Sequence, residues 1–380
     1  MVEEQTDVVI VGAGPAGLAV AIGLAQQDIG FVIVDRLSDI ERSSRAAVIH
    51  AATLDTLGGL GVLDGILAQG IKVPVFCVRN RGGIVLSADF SGLPTATPFA
   101  VMIPQDETET ILVERLRHLG VRVRRSTQVT AIDHSQEAVV VSYADGDAVG
   151  QIRCRYVVGA DGLNSTVRAA ANIDFPGFVY GSFLLADVRM TWPIPTSEVT
   201  LFFSLEGPVV VAPMSHGRYR VVAQRADAPA HPTIADVQSL IDRCAPRAQA
   251  TVSELLWGSR FKVHHKLADR FADGRTLLVG DAAHVHSPAG GQGMNLGLRD
   301  AAALATALTA ALRNGSTALL DDYARDRRAA AQRILAMTDR LTRLATVKSA
   351  VGRWARDRLL WLLGKVPAVR HAVARMMAGF

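Results

Sequence analysis

The sequence predicts an α/β fold in which an interrupted parallel-strand unit is interleaved with a mostly antiparallel β region and followed by a C-terminal helical tail. Three observations carry this. Short β-branched runs at residues 7–11, 31–34, 156–160 and 276–280 have the composition of buried parallel strands. Strand-like segments separated by Pro and Gly dominate from Phe175 to about Val263. The last stretch, from residue 348, is apolar and basic.

The elements follow in order. DVVIV at 7–11 ends at a Gly-rich turn, AGLAVAIGLAQQ at 16–27 is an apolar helix, and FVIV at 31–34 is a second strand. Segment 72–103 alternates around Arg81-Gly82-Gly83, which predicts strands joined by a turn. ETETILVERLRHL at 107–119 reads as an amphipathic helix and 121–143 as strands. In the β region, EVTLFFSL, PVVVAPM and RYRVVAQ are strands and 234–243 is a helix. Long helices are expected from about Met294 to Asn314 and from about Leu320 to Val347. Gly364 and Pro367 then stand in the order that ends one helix and starts another.

Composition narrows the function class. The chain has 380 residues, 49% of them hydrophobic and 20% charged, which excludes a disordered protein. Its three cysteines form no CxxC pair and cannot build a disulfide scaffold, so a reducing cytoplasm is the expected compartment. The net charge is +4, but residues 347–380 hold seven Lys/Arg against one Asp. The remainder has 33 Lys/Arg and 35 Asp/Glu, which is no basic nucleic-acid surface. The acidic start MVEEQTD lacks the basic region of a secretory signal. Residues 8–27 carry no charge, but the glycines and proline clustered within them argue for a turn and not for a membrane span.

The turn is the first of three motifs. Gly12-Ala13-Gly14-Pro15-Ala16-Gly17 is a GxGxxG between a strand and a helix, and Asp35 ends the next strand 18 residues after Gly17. Gly12 permits the tight turn, Gly14 lets backbone approach a pyrophosphate, and Gly17 allows close helix packing. The acid accepts from ribose hydroxyls. This predicts a dinucleotide site; an acid there disfavours a 2′-phosphate but leaves NAD and FAD open. Second, Gly159-Ala160-Asp161-Gly162, followed by Ser165, Val167 and Arg168, closes the strand YVV. Third, Gly280-Asp281-Ala282-Ala283-His284 leads through Pro288 to Gly290-Gly291-Gln292-Gly293-Met294-Asn295 and Asp300. There Asp281 can accept from a polyol, and the glycines can bring N–H groups to a ligand at a helix start, where negative charge is favoured.

In this order and spacing, GAGPAG at 12–17, GADGLNSTVR at 159–168 and GDAAHVHSPAGGQGMN at 280–295 resemble the single-component FAD-dependent aromatic hydroxylases, the group A flavin monooxygenases with the p-hydroxybenzoate hydroxylase fold. Ser44-Arg45-Ala46 and Gln105 in IPQDETETIL are similar as well, and the likeness runs from residue 6 to about 345. It implies a Rossmann-like, glutathione reductase-like FAD-binding domain at 1–71, 104–174 and 268–345. A substrate-binding β domain at 72–103 and 175–267 and C-terminal helices at 346–380 complete the expected division.

The resemblance implies that Gly12, Gly14, Pro15, Ala16 and Gly17 bind the FAD pyrophosphate and Asp35 the adenosine ribose. Arg36, Arg45 and Gln105 would line the phosphates and ribityl chain, and Val129 would cover the adenine. Asp161 and Gly162 are associated with FAD and with visiting NADPH, and Asp281 with ribityl or phosphate oxygens. Pro288, Gly290, Gly291, Gly293, Met294 and Asn295 would face the flavin ring. NADPH or NADH would reduce FAD, and O₂ would give a C4a-hydroperoxyflavin that hydroxylates an aromatic, phenolic or polyketide-like substrate. No side-chain nucleophile is required; Arg45, His286 and Pro288 are the nearest catalytic candidates. Phe202, Met214 and Arg220, in the β region expected to roof the substrate, are the substrate-contact candidates.

Asp281, His284 and His286 with His264 and His265 could be read as a metal site, but the flavin motif accounts for the first two, so no metal is expected. The partners expected are a hydrophobic or aromatic small molecule and O₂, with no nucleic acid. For the basic tail, packing on the body is expected over peripheral membrane contact. The alternative activity is an FAD-dependent reductase or dehydrogenase of an isoprenoid or quinone with the same fold.

Overall fold

A computed structural model describes residues 3–41, 46–80, 83–135, 137–204, 207–246, 249–288, 290–347 and 349–380. The chain begins with β1 (Glu3–Val11), α1 (Pro15–Ala25) and β2 (Phe31–Val34), then β3 (Val48–Ile49), α2 (Ala51–Gly59), α3 (Leu63–Gln69) and β4 (Ile71–Val73). Strands β5 (Val75–Asn80), β6 (Gly83–Asp89) and β7 (Ala100–Met102) precede α4 (Gln105–His118). After it come β8 (Thr127–His134), β9 (Val139–Asp145), β10 (Ala148–Gly159) and α5 (Thr166–Ala170). The central part holds β11 (Gly177–Thr191), β12 (Glu198–Phe203), β13 (Pro208–Met214), β14 (Arg218–Gln224), α6 (Ile234–Cys244) and β15 (Thr251–Leu267). The last part holds β16 (Ala272–Asp273), β17 (Thr276–Leu278), a 3₁₀ turn at Gly280–Ala282 and β18 (His284–Val285). Helices α7 (Gly293–Asn314), α8 (Ala318–Ala345), α9 (Ala350–Leu363) and α10 (Pro367–Ala378) close the chain.

Two sheets carry most of the strands. One runs β16-β17-β10-β1-β2, with β9 also paired to β10 and β8 to β9. Its central pairs, β17/β10, β10/β1 and β1/β2, are parallel, so their carboxyl ends share one edge. That edge is where an open α/β sheet places its ligand. The other runs β18-β15-β11-β14-β13-β12-β5-β6 and is antiparallel except for β12 beside β5. A three-stranded sheet, β3-β7-β4, lies outside both.

The main core explains why the first sheet forms. Val8, Val9 and Ile10 of β1, Leu18 and Ile22 of α1, and Leu298 and Leu308 of α7 are buried together. Strands buried on both faces need near-continuous apolar runs, and DVVIV and YVV are such runs. A second core lies between α6 and the eight-stranded sheet, with Val237, Leu240 and Ile241 against Leu184, Val211 and Val221.

Most elements lie within a few residues of the sequence expectation. Helices α2 and α3 do not come from it. AATLDTLGG ends in two glycines, which weaken a helix, and burial of Leu54 and Leu57 decides the outcome. The tail forms two helices. Of these, α10 packs Ala374, Met377 and Ala378 against Ala51, Phe90 and Leu93, while α9 lies on β6. Among the described residues no helix is long and apolar enough to cross a membrane.

Candidate functional site: convergence of three glycine-rich turns

The three motifs meet at the carboxyl edge of the parallel strands. Gly12 has φ +102°, and a Cβ there would lie 2.4 Å from the Ala160 carbonyl oxygen, so turn shape and contact with the second motif both require glycine. Ala160 N–H donates to Val11 O, and Val279 N–H donates to Gly159 O, which ties the strand ends together. A Cβ on Gly280 would lie 2.9 Å from Ala16 Cβ, and one on Gly297 would lie 3.3 Å from Gly280 Cα. Helix α7 and the third motif are therefore seated directly on the first.

Gly14 differs from its neighbours, because nothing stands within 4 Å of where its Cβ would be. It caps α1 with no side-chain hydrogen bond, and Pro15 opens the helix. The result is a bare helix N-terminus facing open space, the geometry that accepts a phosphate. Asp35 borders it: Oδ2 accepts from Ala13 N–H at 2.6 Å and Oδ1 from Leu37 N–H at 2.8 Å. The glycine loop and its acid are thus set against each other by the chain's own hydrogen bonds.

In the second motif Asp161 Oδ2 accepts from Thr166 and Val167 N–H, and Ser165 Oγ accepts from Arg168 N–H. Burial raises the Asp161 carboxyl above its usual range. Gly162 follows it in the left-handed region, with φ +80°. Arg168 donates to Ala282 O at 2.9 Å and to Leu163 O at 2.8 Å, and its guanidinium lies 4.0 Å from the Phe175 ring centre. One side chain therefore braces the third motif from the second.

The third motif is held from below. A Cβ on Gly291 (φ +62°) would lie 2.2 Å from Val48 Cγ1. Asn295 Nδ2 donates to Val48 O and Gly291 O, and its Oδ1 accepts from His50 N–H. The His50 ring lies with Nε2 2.8 Å from Gly290 O. A carbonyl only accepts, so Nε2 carries the proton. Burial lowers the His50 pKa to about 4 and keeps the ring neutral near pH 7. Helix α7 then starts at Gly293 with no side-chain cap. Nearby, His284 Nε2 lies 2.7 Å from Asp300 Oδ2, and Asp300 Oδ1 accepts from Arg327 Nε. These buried groups fasten the β18 turn to α7 and α8. His286, buried beside Gly293, has its pKa lowered to about 4, chiefly by burial and then by His284.

The structure brings Gly12, Gly14, Pro15, Ala16, Gly17, Asp35, Asp161 and Gly162 around one edge, with the 280–295 segment beside them. Asp281 and Arg36 are exposed there, and Pro288 and Met294 are half-buried. Gln105 opens α4; its N–H donates to Ala46 O and its Nε2 to Glu109 Oε1. Val129 is buried in the main core on β8. Arg45 lies outside the described residues.

The three substrate candidates take different places. Phe202 is in the second core, edge-on to Trp192 on the face turned to α6. Arg220 is 3% exposed, and its guanidinium makes two 2.7 Å bonds to Asp187 and donates to Ala46 O. It braces the segment after Arg45 and, with Asp187, lines the cavity beside it. Strand alternation cannot tell which face of a sheet meets the cleft. Met214 lies with Ala47 and Met102, next to Val48, the residue that backs Gly291. A cavity of about 210 Å³ opens close by, lined by Pro104, Asp187, Arg218, Arg220, Leu256 and Trp257. His50, Arg168 and Arg327 are supports to which sequence reasoning assigned no role, since their partners are distant in the chain.

The glycine cradle, the open space at Gly14 and the uncapped helix ends fit a flavin dinucleotide. A family model described as FAD binding domain matches residues 5–338. The chain belongs to the FAD-dependent aromatic hydroxylase family. This flavin monooxygenase is 34% identical to an uncharacterised aromatic compound monooxygenase, YhjG, of Bacillus subtilis, over 98% of this chain and 75% of that one. It is also 34% identical to the 12-dehydrotetracycline 5-monooxygenase/anhydrotetracycline 6-monooxygenase of Streptomyces rimosus, over 87% and 68%. The crystal structure of p-nitrophenol 4-monooxygenase PnpA from Pseudomonas putida superposes with a TM-score of 0.87 at 26% identity, covering 99% of this chain and 98% of that one.

Proposed function

We propose that this flavin monooxygenase binds FAD across the three turns and uses NAD(P)H and O₂ to hydroxylate an aromatic, phenolic or polyketide-like compound. The observation that carries the reading is the open helix N-terminus at Gly14, bordered by Asp35, with the braced third motif seated beside it at Ala16. The names of the relatives support oxygenation of aromatic and polyketide compounds.

When bound, FAD supplies the electron transfer and oxygen activation. The chain's residues bind and orient. Gly12 to Gly17 and the α1 N-terminus take the pyrophosphate, and Asp35 turns toward the ribose. Arg36, Gln105, Asp161, Gly162 and Asp281 border the path of the phosphates and ribityl chain. Pro288, Gly291, Gly293, Met294 and Asn295 form the ring-side wall. The uncapped α7 N-terminus favours negative charge in front of it. The seven-stranded sheet is the cofactor side and the eight-stranded sheet the substrate roof, with Met214 on the apolar wall between them.

Oxygen dependence tests the reading. Protein loaded with FAD should oxidise NAD(P)H faster when a phenolic ligand is present and give an oxygenated product only in air. Product formed anaerobically would replace it with the reductase reading.

A further inference from the structure

Helix α9 faces the wrong way for an ordinary surface helix. A helix lying on a protein turns its apolar stripe inward and its charges to water. Here the inward face carries Arg356, Asp357 and Leu360. Arg356 is buried: it donates to Leu344 O at 3.1 Å, pairs with Asp357 at 2.8 Å and lies 4.0 Å from the Phe203 ring centre. Asn80 Nδ2 donates to Asp357 Oδ2 at 2.8 Å. These bonds fix which face looks outward.

The outward face carries Val351, Trp354, Leu359, Trp361 and Leu362, with Val351 77% and Trp354 70% exposed. This density of exposed large apolar side chains marks a contact surface. Its charge selects the partner. Exposed Arg358 and Lys365 lie 4.7 and 4.6 Å from the Trp361 ring centre, and Arg370 and Arg375 are exposed on α10. The one acid in residues 347–380 is Asp357, which Arg356 and Asn80 hold. A second copy meeting this face about a two-fold axis would set these cations against their own copies. A surface of anionic lipid headgroups would complement them while the Trp and Leu side chains enter the acyl boundary.

We propose that the outward face of α9 docks the protein on an anionic membrane surface. Helix α10, which follows α9, is joined to the third motif and α7, because Gln292 Nε2 donates to Met377 O and Arg299 to Gly379 O. The proposal does not depend on which reaction the protein performs.

Co-sedimentation with vesicles of phosphatidylcholine, with and without phosphatidylglycerol, tests it, alongside sedimentation velocity without lipid. The full chain is expected to pellet with the anionic vesicles, to be released by salt, and to pellet poorly with phosphatidylcholine alone. Trp354→Ser with Leu362→Ser should weaken binding by about tenfold or more, and Arg358→Glu with Lys365→Glu by a similar factor. Both should melt at the parent temperature, since neither touches the Arg356 anchor. Vesicle binding that is absent, or unchanged in both variants, overturns the proposal. So does a lipid-free dimer that Trp354→Ser with Leu362→Ser dissociates, which would assign the face to a second copy.

Discussion

His50 and Asn295 are bound to each other across 245 residues of sequence: the His50 backbone N–H donates to Asn295 Oδ1 at 2.8 Å. Asn295 returns its amide to Val48 and Gly291, and the His50 ring holds Gly290. The third glycine-rich turn is therefore fixed by the short strand β3 and the residue after it, far away in the sequence. Asn295→Leu takes this partner from the buried His50 N–H and from the half-buried Val48 and Gly291 carbonyls and should cost about 1–3 kcal/mol of stability. FAD affinity should fall by at least about tenfold. Flavin fluorescence titration and thermal melting check the two effects together.

The glycines separate folding from binding. Gly14→Ala adds a Cβ into open space with backbone that any residue adopts, so apo stability should stay within about 0.5 kcal/mol while FAD affinity drops sharply. Gly12→Ala and Gly291→Ala meet atoms at 2.4 and 2.2 Å in left-handed backbone and should lower the melting temperature as well. An unchanged FAD titration for Gly14→Ala would place the pyrophosphate elsewhere.

The brace between motifs is testable alone. Arg168→Lys keeps a cation but loses the fork to Ala282 O and Leu163 O and the stacking on Phe175. A loss of about 1–3 kcal/mol is expected, with weaker FAD binding that excess cofactor restores. Melting with and without FAD measures both.

Acid sensitivity follows from the buried histidines. His50 and His286 have folded pKa values lowered from 6.5 to about 4, so they remain neutral in the fold. The unfolded chain takes up protons below about pH 6.5 and the fold does not, so stability is full above that pH and lost as pH falls toward 4. Glu109, raised from 4.5 to about 7 by burial, has the opposite sign: its contribution falls as pH rises from 4.5 to 7. His286→Phe should narrow the stability difference between pH 7 and pH 5 by about 2 kcal/mol. Glu109→Gln should widen it. Denaturant melts at the two pH values read these changes.

What the sequence made legible was local. Each glycine motif follows a buried strand directly and leads to a helix, so pattern and turn chemistry point the same way. Thr233 and Asp236 form a capping box that marks the start of α6 in the sequence itself. The braces were not legible, because His50 meets Gly290 and Arg168 meets Ala282 only after the sheets assemble. Phe202 shows a second limit: it lies on an alternating strand, but which face of that strand meets the cleft depends on where α6 packs.

The most direct measurement is the visible spectrum of the protein supplied with FAD, followed on adding NAD(P)H under nitrogen and then air, with and without phenolic ligands. The account predicts bound-flavin bands, bleaching that a ligand accelerates, and recovery with an oxygenated product only when air is admitted. A protein that takes up no flavin, or that converts its ligand without O₂, would contradict it.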